Sequence, residues 1–410
     1  MTAIVEDAEA ATAAPAKKVT GALLITLALL SAVAPLATDL YLSAFPQMVE
    51  SLSTTASGVQ LSLTGFLIGV SIGQLVFGPL SDRFGRMGPL LVGVVIYLAS
   101  SAVAALAPTI AVLVLARLVQ GLSGAAGMVI SRAVISDIAE GEAAAQAFSL
   151  MMLVGGVAPV LGPLAGSAML DAVGWRGLLW VIAAVGAVSL IFVAAFLRET
   201  HPKEKRMRQA NGPGLRVLLT PVYIGNALAL GFAFSTMMAY ISASPFVYQT
   251  MMGMTELQYG LVFGANSLVL TVVGGLSAKL VQHHAPSRLA RIGLLTNLGA
   301  IAAITVVAVL DLPAVFLVVP LAVAVGALGL VFGNTTALAL GAVREASGLG
   351  SAGLGVLQFA LAGVVASLVG VGGETTAVPM ALTMLAGSLI AITAMAVAKR
   401  AHAGKRLRSS

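Results

Sequence analysis

Hydrophobic residues in this chain come in long unbroken runs, each separated from the next by a short polar or glycine-rich break. Twelve runs are legible, at 20–41, 57–79, 88–107, 110–131, 144–170 and 175–197, then 219–243, 257–279, 289–309, 313–340, 349–371 and 377–398. A helix needs about 20 apolar residues to cross a ~30 Å hydrocarbon core, and each run meets that length. Because the runs are continuous and do not alternate, membrane β-strands are excluded and an all-α membrane protein is expected. The fifth and tenth runs are long and rich in glycine, so their limits are the softest. A single long polar connection, 198–218, parts the runs into six and six, as expected of a membrane protein built from two related halves. The organisation that follows is a tail at 1–19, a six-helix bundle at 20–197, a linker at 198–218, a second bundle at 219–398 and a basic tail at 399–410.

Composition sharpens this picture. The chain is 59% hydrophobic and only 9% charged, with a mean hydropathy of +1.02. The absence of cysteine leaves neither a disulfide framework nor a thiolate metal site, and no metal is expected. The net charge of +6 does not point to nucleic acid. The basic residues fall almost wholly in connections on one side: Lys17, Lys18, Arg83, Arg86, Arg132, the 198–218 linker, Lys279, Arg288, Arg291, Arg344 and the tail from Lys399 to Arg408. The other side holds Arg176, with Glu50, Asp171, Glu256, Asp311 and Glu374. By the positive-inside rule both termini are expected in the cytoplasm. The linker mixes charges of both signs and carries no interleaved aromatics, so it reads as a solvated connection. No phosphate-binding G-x-x-x-x-G-K-[ST] loop occurs, hence any energy source is expected to be an ion gradient, with no cofactor.

Three stretches carry chemistry. Between runs two and three, Gly78-Pro79-Leu80-Ser81-Asp82-Arg83-Phe84-Gly85-Arg86 packs an acid, two arginines and two glycines into nine residues. A loop this short makes its helices antiparallel neighbours. Asp82 can pair with an arginine near a helix terminus, forming a latch that locks one packing and releases in another; an ordinary positive loop is the plainer alternative. Two charges lie inside apolar runs, where they are costly. Asp39 stands near the end of run one and is either an interfacial acid or one that gains and loses a proton as access alternates. Arg117 stands in run four with Gln120, Gly121 and Gly124 on the same helical face, as a relay beside Asp39 or a counter-ion ordering its helix. His283 and His284 read as solvated.

The spacing G-x-x-x-D-R-x-G-R resembles the signature between helices two and three of the major facilitator superfamily. Thr38-Asp39-Leu40-Tyr41-Leu42, followed by Phe45-Pro46, is similar to the start of the Bcr/CflA drug-resistance branch, with Leu40 and Ser43 in place of the usual Met and Pro. Arg117-x-x-Gln120-Gly121 resembles the fourth-helix motif, whose arginine is implicated in proton transfer. Gly155-Gly156-Val157-Ala158-Pro159-Val160-Leu161-Gly162-Pro163-Leu164-Ala165-Gly166 resembles the fifth-helix antiporter motif, with Ser167 where a second glycine is common. Ser351–Phe359 is similar to the branch's eleventh helix. The resemblance implies a major facilitator fold of twelve helices and export of small amphipathic drugs, chloramphenicol or related phenicols first, in exchange for protons across a bacterial inner membrane. Asp39 and Arg117 would couple protons. Gly78, Asp82, Arg83, Gly85 and Arg86 would form the latch. Gly155, Pro159, Gly162, Pro163 and Gly166 would bend the fifth helix and let it press across the pseudo-repeat.

A drug pocket is then expected near mid-membrane between the halves. Tyr41, Gln60, Gln120, Asn226, Tyr240, Asn266, Asn334 and Gln358 are the candidate polar lining, with Met237, Met238 and Phe359 as adaptable apolar contacts. An importer or uniporter of a metabolite is the competing function, opposed by the fifth-helix motif and the lack of further intramembrane charge. An enzyme or channel would need paired catalytic groups or rings of pore charge, and the chain offers none. The expected partners are the drug, protons and lipid, with the chain acting as a monomer.

Overall fold

The computed structural model describes residues 21–139, 141–202, 215–343 and 346–409. The tail at 1–19, residues 203–214 of the linker, and Arg344 lie outside them. Twelve long helical arms follow one another, close to the expected spans. They are α1 (Gly21–Asp39), α2 (Ala56–Phe84), α3 (Met87–Ala105) and α4 (Ile110–Ile138). The next element, Gly141–Phe196, is broken by Gly174 at φ 65° and ψ 176°. That backbone suits glycine alone, and it turns the chain back, giving α5 (141–173) and α6 (175–196). The second half comprises α7 (Pro221–Pro245), α8 (Glu256–Leu280), α9 (Pro286–Val309), α10 (318–341), α11 (Ser347–Val369) and α12 (Val378–Ser409). Among the described residues no strand occurs.

Several limits move. The nine-residue motif is not mostly loop: α2 carries it through Phe84, and Gly85, at φ 90°, makes the turn almost alone. α4 runs to Ile138, seven residues past its expected end, and so carries Asp137 on its last turn. The tenth arm breaks where it is glycine-rich, with a 3-10 turn at Leu328–Leu330 between Val318–Ala327 and Phe332–Gly341. The basic tail continues α12 as helix to Ser409. After α1 the chain does not cross directly into a loop. A 3-10 turn (Leu42–Ala44) and a short helix (Phe45–Ser51) form a strap over one end of the bundle.

Outward faces are apolar, with Leu75, Val92, Leu115, Ile191 and Val319 all exposed. A surface of this kind belongs against lipid. The interior is less symmetric along the bundle axis. At the end marked by Gly174, a single hydrophobic core joins both halves, running from Tyr41, Phe45 and Phe66 to Phe246, Tyr259, Ile301 and Met384. At the opposite end, marked by Gly85, the core is divided. Leu27, Phe77, Leu90, Ile130 and Val193 form one cluster in the first half. Leu294, Val331 and Met395 form another in the second, and Tyr223, Ala339 and Leu354 a third. The halves are fused at one end and separately packed at the other.

Two seams join them. Along α2 and α11, Ser71 Oγ donates to the Val356 carbonyl at 2.9 Å, and Gly355 and Gly363 pack against Gln74 and Ile68. Along α5 and α8, Gly260 lies against Ser167 and the Pro163 carbonyl, while Gly264 faces the Val160 carbonyl. Small residues let the backbones approach, which is how helices without a hydrophobic driving force associate in lipid.

Candidate functional site

Asp39 is the last residue of α1 and is 3% exposed. Among the described residues it forms no ion pair. Its surroundings explain how an acid comes to sit there. α5 presents Gly162 to it, where an added Cβ would lie 3.2 Å from the Asp39 Cβ. One turn on, Gly166 meets the Leu40 carbonyl so closely that any side chain would collide. These two fifth-helix glycines therefore press α5 onto the acid-bearing end of α1, within the same half. The expectation that they pack across the pseudo-repeat is corrected here. The cross-half contact uses the neighbouring face of α5, through Val160, Pro163 and Ser167. Ser167, which departs from the resembling pattern, finds its room at Gly260. Pro159 lies inside the α5 helix, and the surroundings of Gly155 fall outside the described residues.

Arg117 is fully buried, yet it does not pair with Asp39. Its guanidinium lies 4.5 Å from the Tyr41 ring centre and 4.4 Å from that of Phe66. One terminal nitrogen donates to Gln120 Oε1, the other to the Ala37 carbonyl at 2.6 Å. A cation over a desolvated ring is held by roughly 2 kcal/mol or more, and a cation at a helix C-terminus also meets the negative end of the dipole. Arg117 thus clamps the last turn of α1, two residues short of the acid. Gln120 passes the bond on to Ser101 Oγ at 2.6 Å, and the Tyr41 hydroxyl bonds Ser62 Oγ at 3.0 Å. Gln120 and Tyr41, expected to line a pocket, are instead fully buried and committed to holding Arg117.

The other expected lining residues divide in the same way. Asn226 donates to the Val222 carbonyl of its own helix at 2.8 Å. Asn266 donates to the hydroxyls of Tyr240 at 2.9 Å and Tyr248 at 3.3 Å. Asn334 donates to Ser277 Oγ at 2.8 Å. All are buried and internally satisfied, so they order the bundle and do not face an opening. Met237 and Gln358 remain half-buried. Around them stands an apolar wall missed as a group by sequence: Phe234 lies 6.0 Å from Phe332 and 5.5 Å from Phe359, ring centre to ring centre. Phe359 shares a face of α11 with Gly355 and Gly363, both packed on the first half. The wall therefore borders the seam.

At the Gly85 end, the motif's centre is Arg86, not Asp82. Its guanidinium donates to Asp82 at 2.6 Å, to Asp137 at 2.9 Å and to Ser81 at 2.9 Å. Burial alone would lower its pKa, but Asp137 and Asp82 outweigh that and hold it above the ordinary arginine value. Gly78 lies against Val129, and Arg83 points over the Phe84 ring at 5.3 Å. Two acids went unrecognised in the sequence. Asp137 also accepts from Thr200 Oγ1 at 2.9 Å. Glu199 accepts from the backbone N–H of Arg86 at 2.9 Å and of Met87 at 3.2 Å, capping α3. The signal for both was an acid placed just past the end of an apolar run. All these bonds lie within the first half.

Comparison with known proteins fits this arrangement. The Major Facilitator Superfamily matches residues 27–370. An uncharacterized MFS-type transporter, YdgK, of Bacillus subtilis is 35% identical over 90% of this chain and 93% of its own. A bicyclomycin resistance protein homolog of Haemophilus influenzae is 28% identical over 93% of this chain and 96% of its own. A chloramphenicol resistance protein of Pseudomonas aeruginosa is 29% identical over 64% of this chain and 62% of its own. Among solved structures, a bacterial homolog of the human lysosomal transporter Spinster, inward-facing and occupied, superposes with a TM-score of 0.70 at 16% identity, covering 92% of this chain and 96% of that one. Twelve membrane-length arms, a fused end, a divided end and a family match over most of the length lead to one statement: the chain is a multi-pass membrane transporter of the Major Facilitator Superfamily.

Proposed function

We propose that this chain exports small amphipathic antibiotics in exchange for protons, by alternating access of its two halves. The observation that carries the reading is the core that is continuous at the Gly174 end and divided at the Gly85 end, with a buried, cation-free acid at the junction. With the orientation drawn from lysine and arginine, the divided end faces the cytoplasm, and the state described is closed to the outside. Drug enters between the halves from the divided end and meets Phe234, Met237, Phe332 and Phe359. Methionine and phenylalanine there give adaptable contact without a fixed charge. This suits a neutral amphipath such as a phenicol.

In this cycle a protonated Asp39 loses its proton inward as drug binds. The ionised carboxylate is expensive in the closed core, which drives the Gly174 end open. Outside, protonation accompanies drug release and lets that end close again. Arg117 holds α1 in register throughout. The likeness to a bicyclomycin resistance protein homolog and to a chloramphenicol resistance protein supports an antibiotic cargo.

The test is chloramphenicol accumulation in a pump-deficient bacterium expressing the chain, with and without a protonophore. The expected result is low accumulation that rises to the empty-vector level when the proton gradient collapses. Accumulation equal to the vector control in energised cells, with the protein in the membrane, would remove phenicols from the reading. Low accumulation indifferent to the protonophore would remove the coupling.

A further inference from the structure

The strap Leu40–Ser51 directly follows Asp39, and both of its ends are fastened to the first half. At its start, Arg117 holds the Ala37 carbonyl and Gly166 seats the Leu40 carbonyl. At its far end, the Trp175 backbone N–H donates to Gln47 Oε1 at 3.1 Å, and its indole N–H to Ser51 Oγ at 3.1 Å. Its middle is gripped by the second half. Gln249 Nε2 donates to the Ser43 carbonyl at 3.0 Å, and the Phe246 ring lies 6.2 Å from that of Phe45. Both partners belong to one π-helical turn, Phe246–Met251, that continues α7; single π turns within helices are frequent at functional sites. Gln60 Nε2 to the Ser242 carbonyl at 2.9 Å and Ser57 Oγ to the Gly370 carbonyl complete the polar ties at this end. Among the described residues, only the Gln249 tie meets the strap that follows the acid.

The ties are incomplete in a telling way. Ser43 Oγ, Ser242 Oγ and Gln60 Oε1 are buried beside them without a hydrogen-bond partner. Buried polar groups are seldom left unpaired, and opening this end to water would satisfy all three.

We propose that Gln249 is the positioning residue that couples Asp39 to the opening of the Gly174 end, a role that rests on the antiport reading above. Its bond to the Ser43 carbonyl holds the π turn against the strap while Asp39 is neutral. Once Asp39 is ionised, the cost of its burial exceeds the tie, and the strap and the π turn part. The groups that meet Asp39 are Thr38 beside it on α1, Gly162 on α5 and, within electrostatic reach, Tyr259 on α8; Arg117 on α4 is turned to the Ala37 carbonyl and the Tyr41 and Phe66 rings.

Because the chain lacks cysteine, Ala243→Cys can report on opening. Position 243 is buried and lines a narrow cleft at this end with Gln60, Phe246, Met251 and Met380. Its labelling rate by a membrane-impermeant maleimide is measured in right-side-out vesicles. In an Asp39→Asn background, which fixes a neutral side chain, labelling is expected to be slow. Adding Gln249→Ala should raise the rate roughly fivefold, the scale of one lost hydrogen bond. Gln249→Glu keeps the length but sets a carboxylate against a carbonyl, and should raise the rate at least as far. Unchanged labelling in both variants, with thermal unfolding as in the parent, would overturn the proposal. Drug transport distinguishes the underlying reading: if Asp39→Asn still drives drug uphill, antiport through Asp39 fails, whatever the labelling shows.

Discussion

Arg86 and Arg117 are two buried cations solved in different ways. Arg86 is neutralised by carboxylates; Arg117 is held by rings, an amide and a carbonyl, with its Nε left unpaired. The first is a structural lock, and its two acids are unequal. The Asp82 side chain is 55% exposed and that of Asp137 only 14%. An exposed ion pair is worth about 0–1 kcal/mol, whereas stripping a buried one of its partner costs on the order of 3 kcal/mol. Arg86→Ala should therefore lower the unfolding midpoint in detergent clearly, while Asp82→Asn should leave it nearly unchanged and slow turnover with drug binding kept. Equal destabilisation by the two would contradict this ranking. The sequence motif made Asp82 conspicuous and left Asp137 silent, because the partner of Arg86 comes from the far end of another helix, where only tertiary packing brings it near.

At the scale of elements, α5 is a helix with two working faces. Gly162 and Gly166 fit the end of α1; Val160, Pro163 and Ser167 fit α8. Its spacing of small residues was legible as a packing signal, and its assignment to the wrong neighbour was not correctable from sequence, since both faces carry small residues. The same limit applies to the pocket. Polar residues in apolar helices stand out in a sequence, but inside lipid they must find partners, so Asn266, Asn334, Gln120 and Tyr41 were spent on other buried side chains and, for Asn334, also on backbone. The residues left half-buried were apolar ones that no pattern marks, such as Phe234 and Phe332. A direct check compares Gly166→Val with Gly299→Val. The first side chain would meet the Leu40 carbonyl, the second nothing within 4 Å. Gly166→Val should abolish transport while the protein still inserts, and Gly299→Val should transport normally; equal activity would show that α5 does not position Asp39.

For the whole molecule, the twelve arms and the division into halves followed from hydropathy alone, because bilayer thickness imposes them. What hydropathy could not supply is which end is closed. That emerges from side-chain packing: the strap and the π turn interlock with the core at one end, and three separate clusters stand apart at the other. The same end holds Asp39, so opening it changes the solvation of that buried acid. On the antiport reading, Asp39 carries the proton that drives export. The decisive experiment uses proteoliposomes with an imposed pH gradient and equal chloramphenicol on both sides. The wild-type chain should concentrate drug against its gradient in the direction set by the proton flow, and Asp39→Asn should equilibrate drug without concentrating it. Uphill accumulation by Asp39→Asn at the wild-type level would contradict the account.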